Sequence, residues 1–191
     1  MSKRANASTS DRIIAAALAL IGERGLRGVT MSEIADVAGI ARQTLYNHYR
    51  DVESIVAEAT ERHGQESIEL LERTLGIADG PPNKLEQLVR HVAAMGGHGH
   101  QVLDLQDGLP AEARAALALY DDALNNHIRA ILAAGMQAGL FRLDLSPDLD
   151  SVLVRRLLDG VVELVTRSPD ESARIVTNGI RTLLSAVALR Q

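Results

Sequence analysis

The sequence predicts an all-α fold. No stretch alternates apolar and polar residues as a half-buried strand does, and apolar residues recur at helical spacing along almost the whole chain. Capping and helix-breaking residues fall between those stretches. With 191 residues and 46% hydrophobic content, the chain can bury a real core, either as one large domain or as a small head on a larger body.

The elements follow in order. The first helix starts in the Ser8, Thr9, Ser10 cluster, with Ser10 the expected cap, and carries Ile13, Ile14, Ala17, Leu18 and Ile21 on one face as far as Gly25. Thr30 and Glu33 have the spacing of a capping box, so a second helix begins there and turns Ile34, Ala35 and Ala38 inward. Gly39 can adopt the left-handed conformation that ends it. A third helix, too short to be stable alone, runs to Tyr49 and is anchored by Leu45 and Tyr49, four residues apart. It leaves Arg42, Gln43, Thr44, Tyr46, Asn47 and His48 as a dense outward polar set.

Beyond Arg50, Asp51 is the expected cap of a long helix from about Val52 towards Leu75, stopped by Gly76 to Asn83. A shorter helix spans about Lys84 to Met95 and ends in a glycine-rich GGHGH. Pro110 suits the first turn of the next, whose apolar face runs from Leu117 to Met136 and breaks at Gly139. Two final helices, Leu149 to Val165 and Ser172 to Leu189, end the chain. The first of the pair has one apolar line at Leu153, Leu157, Val161 and Leu164 and another at Val154, Leu158 and Val165. A helix apolar on two sides needs two partners, the body and a second subunit. Gly179 would allow close helix approach at such a contact, or is a kink or a tolerated glycine.

Charge is unevenly spread. Residues 1–50 hold seven Lys/Arg against four acids, a net +3, leaving 13 basic and 21 acidic residues, or −8, in the remainder. A basic head on an acidic body is compatible with nucleic acid despite the overall −5. The absence of cysteine excludes disulfides and thiolate metal sites. The apolar run Ile13 to Ile21 is interrupted upstream by Asp11 and Arg12 and lacks a small-residue cleavage site, so a cytoplasmic location is expected. No apolar run reaches the ~18 residues of a membrane span.

The segment SEIADVAGIARQTLYNHYRDVESI, preceded by an amphipathic helix ending in GLRGVTM, resembles the TetR family of bacterial transcriptional regulators over roughly residues 10–57. The resemblance implies a DNA-binding helix-turn-helix domain at 1–50 and an effector-binding and dimerisation domain at 51–191. It further implies a three-helix head and six further helices, about nine in all, and a repressor that binds double-stranded palindromic operator DNA as a homodimer and releases it when a small-molecule effector enters a pocket in the body. Carried over by position, Arg42, Gln43 and Asn47 look like base-reading residues, and Thr44, Tyr46 and His48 like backbone contacts. Arginine can grip both major-groove acceptors of guanine, and Gln or Asn can pair with adenine. Thr30 would present its helix amino end to a phosphate. Lys3 and Arg4 are candidates for an arm into the minor groove, against the alternative of a solvated terminus. Where the family commonly has a lysine at the start of its fourth helix, this chain has Val52 between Asp51 and Glu53; Arg50 is the candidate to compensate. The expected dimer interface is Leu153, Leu157, Val161, Ile180, Leu183 and Val187.

In the body, aromatic residues are limited to Tyr120 and Phe141, which favours an aliphatic or small apolar effector over a flat cation. His63, His91, Tyr120, Leu124 and His127 are the candidate pocket residues. The histidines, with His98 and His100, also raise a metal-responsive alternative, although no HxxxH or HExxH spacing occurs. No metal, cofactor or catalytic motif is expected, which leaves an enzyme the remote alternative and an effector-free DNA-binding dimer a third.

Overall fold

The computed structural model describes residues 8–103 and 109–189, with side chains described outside 95–103. The described residues form eight α-helices rather than about nine: α1 Thr9–Arg24, α2 Met31–Ala38, α3 Arg42–His48, α4 Val52–Ile77, α5 Gly80–Leu103, α6 Ala111–Gln137, α7 Pro147–Arg167 and α8 Ser172–Val187. Two 3-10 turns, Leu26–Gly28 and Pro169–Glu171, lie at junctions.

The chain divides into two compact units. One takes the described residues of 1–64 and 101–118, the other those of 65–100 and 119–191. The first therefore extends past the helix-turn-helix boundary at residue 50 and adds a segment distant in sequence. Its core is Ile13, Ala17 and Leu20 of α1, Ile34 and Ala35 of α2, Leu45 of α3, and Ile55 and Val56 of α4, joined by Leu109 and Ala113. Each fully buried Leu or Ile contributes about 1.5–3 kcal/mol.

Two boundaries differ from the sequence reading. Ser8, not Ser10, caps α1: its hydroxyl accepts from the Asp11 amide at 3.1 Å, and the Asp11 carboxylate accepts from the Ser8 amide at 2.9 Å. Ser10 loses the role because its hydroxyl is engaged by Tyr49. Helix α5 begins four residues before Lys84 and continues through GGHGH. Pro81 and Pro82 fit its first turn, where no amide partner is required, and helix glycines cost only about 1 kcal/mol each.

The second unit is organised by two glycines whose missing side chains are filled by neighbours. A Cβ on Gly135 of α6 would lie 1.9 Å from the Phe141 ring, so the ring folds directly onto the helix backbone. Phe141 is thereby buried, and its segment is bonded to the end of α8 through Arg142 N–H to Val187 O at 3.0 Å. An isolated β-bridge pairs Phe141 with Ala188. On α8, a Cβ on Gly179 would meet Val161 of α7 at 2.7 Å. The close approach permitted by Gly179 is therefore within this chain, between α7 and α8.

That contact also re-sorts the faces of α7. Val154, Leu158, Val161 and Val165 are buried, while Leu153 and Leu164 are more than half exposed. Val161 lies three residues from Leu158 as well as four from Leu157, and the recess at Gly179 holds it on the inner line.

Replacement of Gly135 by Ala is expected to lower stability by about 1–3 kcal/mol through overpacking, or roughly 2–4 °C in Tm per kcal/mol at this chain length. Adding Phe141→Leu should return part of that loss in thermal denaturation, because the clash is with this ring.

Candidate functional site

The head presents a short helix whose position is set from several directions. Thr30 caps α2 by accepting from the Glu33 amide at 3.4 Å, and Glu33 returns to the Thr30 amide at 2.9 Å. The Thr30 hydroxyl donates to Glu33 at 2.7 Å, and Arg24 of α1 donates to the other carboxylate oxygen at 2.8 Å. Bonds from the Thr30 hydroxyl and amide, helped by Arg24, hold the Glu33 carboxyl below its ordinary range.

At the other end of α2, Gly39 has φ 65° and ψ 42°, and the amides of Gly39 and Ile40 bond to Asp36 and Ala35 carbonyls at 3.2 and 3.0 Å. This is the Schellman arrangement, which redirects the chain into α3. Arg12 of α1 adds a guanidinium bond to the Gly39 carbonyl at 3.1 Å and a second to Ala38. Nothing local in the sequence marks Arg12 for this role, since its partners lie 26 and 27 residues away.

Helix α3 has seven residues and no side-chain cap. Leu45 is wholly buried and Tyr49 nearly so, whereas Arg42, Gln43, Tyr46, Asn47 and His48 are exposed and Thr44 is half-buried. Gln43 donates to Asn47 at 3.1 Å, so these two amides already form one hydrogen-bonding surface. The Tyr49 hydroxyl meets Ser10 of α1. Ser10 also bonds Glu58 of α4 at 3.3 Å and receives a bond from Arg62 at 3.0 Å; Arg62 bonds Asp11 at 2.9 Å. Burial pushes the Tyr49 phenol up, and it remains a neutral hydrogen-bonding group. This cluster is a positioning device that the sequence did not reveal, because its members are separated by up to 52 residues.

The cations divide into committed and free. Arg12 and Arg24 are bound as described, and Arg50 pairs with Asp51 at 3.0 Å. Asp51 in turn caps α4, accepting from the Ser54 amide at 2.8 Å. Burial opposes its ionisation, but the Ser54 bonds and Arg50 outweigh this and hold its carboxyl below the ordinary value. Val52 is buried, so it offers nothing to a backbone phosphate. Among the described residues of the head, Arg27 and Arg42 carry no such bond. Lys3 and Arg4 lie outside the described residues.

The second unit contains a cavity of about 310 Å³ between the end of α4, the start of α5 and α6. Its walls are Leu75, Pro81, Ala130, Ile131 and Ala134, with Lys84 and His127 as its polar side chains. Of the expected pocket set, only His127 lines it. Leu124 is buried in the core with Tyr120 packed against it, His91 is buried on α5, and His63 is exposed on α4 in the other compact unit. Burial pushes the His91 imidazole down, which favours its neutral form. The side chains of His98 and His100 lie outside the described set. No group of three or more His, Asp or Glu residues capable of holding a metal occurs among the described residues. No helix among them is long and apolar enough to cross a membrane.

On α7 and α8, Val161, Ile180, Leu183 and Val187 are already committed to this chain's own core, Leu157 is half-buried, and Leu153 is exposed. The outward apolar residues of α7 are Leu149, Val152, Leu153 and Leu164.

Residues 13–59 match the model of bacterial regulatory proteins, tetR family. The HTH-type transcriptional repressor KstR2 of Mycobacterium tuberculosis is 32% identical over 159 residues, covering 79% of this chain and 76% of the relative. The fatty acid degradation regulator FadR from Bacillus halodurans superposes with a TM-score of 0.76 at 21% identity, over 95% of this chain and 97% of its own. FadR from Bacillus subtilis in complex with stearoyl-CoA gives 0.75 at 20% identity, over 92% and 98%. At these identities the structures share the fold.

Glu33→Gln is expected to destabilise the head at neutral pH. The depressed carboxyl contributes stability above the ordinary carboxylate range and loses it as pH falls through its folded value. Denaturation curves of the variant and the parent should therefore converge in acid; a constant gap across pH would count against the capping role.

Proposed function

The chain belongs to the TetR family of bacterial regulatory proteins, and from that premise we propose that it binds a palindromic operator as a homodimer and releases it when a small, largely apolar effector enters the body. The relatives are transcriptional regulators rather than enzymes. The observation that carries the reading is the division of α3: Leu45 is 0% exposed while Arg42, Gln43, Tyr46, Asn47 and His48 face solvent. A helix held by its inner residue and polar on its outer side is suited to the major groove.

In this reading Arg42, Gln43 and Asn47 meet base edges, and Thr44, Tyr46 and His48 meet phosphate or sugar, with Thr30 presenting the amino end of α2 to a phosphate. Arg50 is a weaker contributor than its charge suggests, since Asp51 already neutralises it. Arg27 is an additional cation available at the head. Residues 1–50 carry the DNA-reading elements, and residues 51–191 the effector and dimer functions.

Leu149, Val152, Leu153 and Leu164 form the side of α7 offered to a second copy, with Leu157 at its margin. Exposed large apolar residues on one helix are a partner-binding feature. A repressor role follows the relative KstR2, and an effector with a substantial aliphatic part accords with the stearoyl-CoA complex of the FadR neighbour. The supply of aromatic rings agrees: Phe141 is engaged on Gly135, which leaves Tyr120 as the ring for stacking in the body.

DNA retained by the protein from its own genome, once sequenced, should contain two-fold related half-sites; half-sites without that symmetry would count against the dimer. On such a site Arg42→Ala should weaken binding by about 1–3 kcal/mol and relax preference at one base position. Arg50→Ala should change affinity and its salt dependence much less. Fluorescence anisotropy across a salt series measures both, and equal effects of the two substitutions would remove the distinction drawn from the Arg50–Asp51 pair.

A further inference from the structure

We propose that the cavity at Lys84 and His127 takes an amphiphile with a single anionic head and a short aliphatic tail. That this ligand is the effector rests on the reading above, which it deepens by naming a chemical class. The walls supplied by Leu75, Ile131 and the alanines of α6 are aliphatic, and the volume of about 310 Å³ lies at the low end of the ~300–1,000 Å³ range of ligand sites. None of the described residues lining it is acidic.

Among the described cations of the second unit, Lys84 and Arg73 have neither an ion pair nor a side-chain hydrogen bond, and of these two Lys84 lines the cavity. Arg90 is neutralised by Glu86, Arg129 by Asp148, Arg142 by Asp144, and Arg155 by both Asp121 and Asp159. Lys84 has no ion pair or hydrogen bond among the described residues, although the segment beyond residue 50 carries a net −8. The chain has 20 Lys and Arg residues, and Lys84 and Lys3 are its lysines. An ammonium is a compact point charge that suits a single oxyanion, whereas the guanidinium used elsewhere favours a two-pronged partner.

Lys84 reaches the cavity from the second turn of α5. His127 reaches the same cavity from α6 and supplies an imidazole N–H donor. An uncharged ligand would fill the aliphatic part and leave the ammonium without a counterpart. A carboxylate places its head between Lys84 and His127 and its tail along Leu75 and Ile131, so both parts of the lining are used.

Calorimetric titration of the full chain with decanoate and with decanol, each below its aggregation concentration, tests the site. Decanoate should bind at least roughly tenfold more tightly, the scale of one hydrogen bond to a charged group. Lys84→Ala should remove that difference and Lys84→Arg should restore part of it. Ala130→Phe, which adds a ring at the cavity wall, should abolish binding of both probes while leaving the thermal transition in place. Absence of decanoate binding, equal affinity for the two probes, or binding unaffected by Lys84→Ala or by Ala130→Phe would overturn the proposal. The effector reading is tested separately on retained genomic DNA: decanoate binding that depends on Lys84 but leaves DNA affinity unchanged would keep the site and refute its regulatory role.

Discussion

Helix α3 is too short to hold its own shape, and the function proposed for the molecule depends on where that helix is held. Isolated helices of this length are marginal in water because nucleation is unfavourable and few bonds follow it. Leu45 supplies the inner anchor, buried among α1, α2 and α4. The Gly39 turn sets the entry direction and Tyr49 fixes the exit. With these constraints in place, the outward residues need no further support from the helix itself. Among the described cations of the head, Arg12, Arg24 and Arg62 hold helices together, while Arg27 and Arg42 carry no such bond.

The elements that were legible in sequence are those whose causes are local. The Thr30–Glu33 box and the glycine at position 39 specify α2 and its turn within ten residues, and the structure has both. The all-α class followed from periodicity and needed no long-range information. What remained hidden was set by contacts between distant residues. Ser10 has the chemistry of a cap, yet Tyr49 engages its hydroxyl and Ser8 takes the role. Val161 could belong to either apolar line of α7 until the recess at Gly179 is known. The candidate site was partly legible for the same reason: residues of α3 share one short helix, whereas Lys84 and its cavity depend on how α4, α5 and α6 meet.

The two close approaches in the body place the chain's only phenylalanine and a core valine directly against helix backbone. Protein interiors have crystal-like density, so such contacts leave little freedom to slide without repacking. The Gly135–Phe141 contact ties the end of α6 to the end of α8, and the Gly179–Val161 contact ties α8 to α7. Arg155 adds a polar tie between α6 and α7 through Asp121. By contrast, the cavity near Lys84 is lined from the end of α4, the start of α5 and α6, with no residue of α7 or α8 among its lining.

The bond between Tyr49 and Ser10 has an optical consequence. The chain contains no tryptophan and only three tyrosines, Tyr46, Tyr49 and Tyr120. Its intrinsic emission is therefore tyrosine emission, free of energy transfer to an indole. Tyr46 is exposed on the outer side of α3, Tyr49 is buried in a hydrogen-bonded cluster at its end, and Tyr120 is half-buried in the other unit. The unlabelled molecule thus carries spectroscopic reporters in three environments, and single replacements by phenylalanine would assign each signal to the head or to the body.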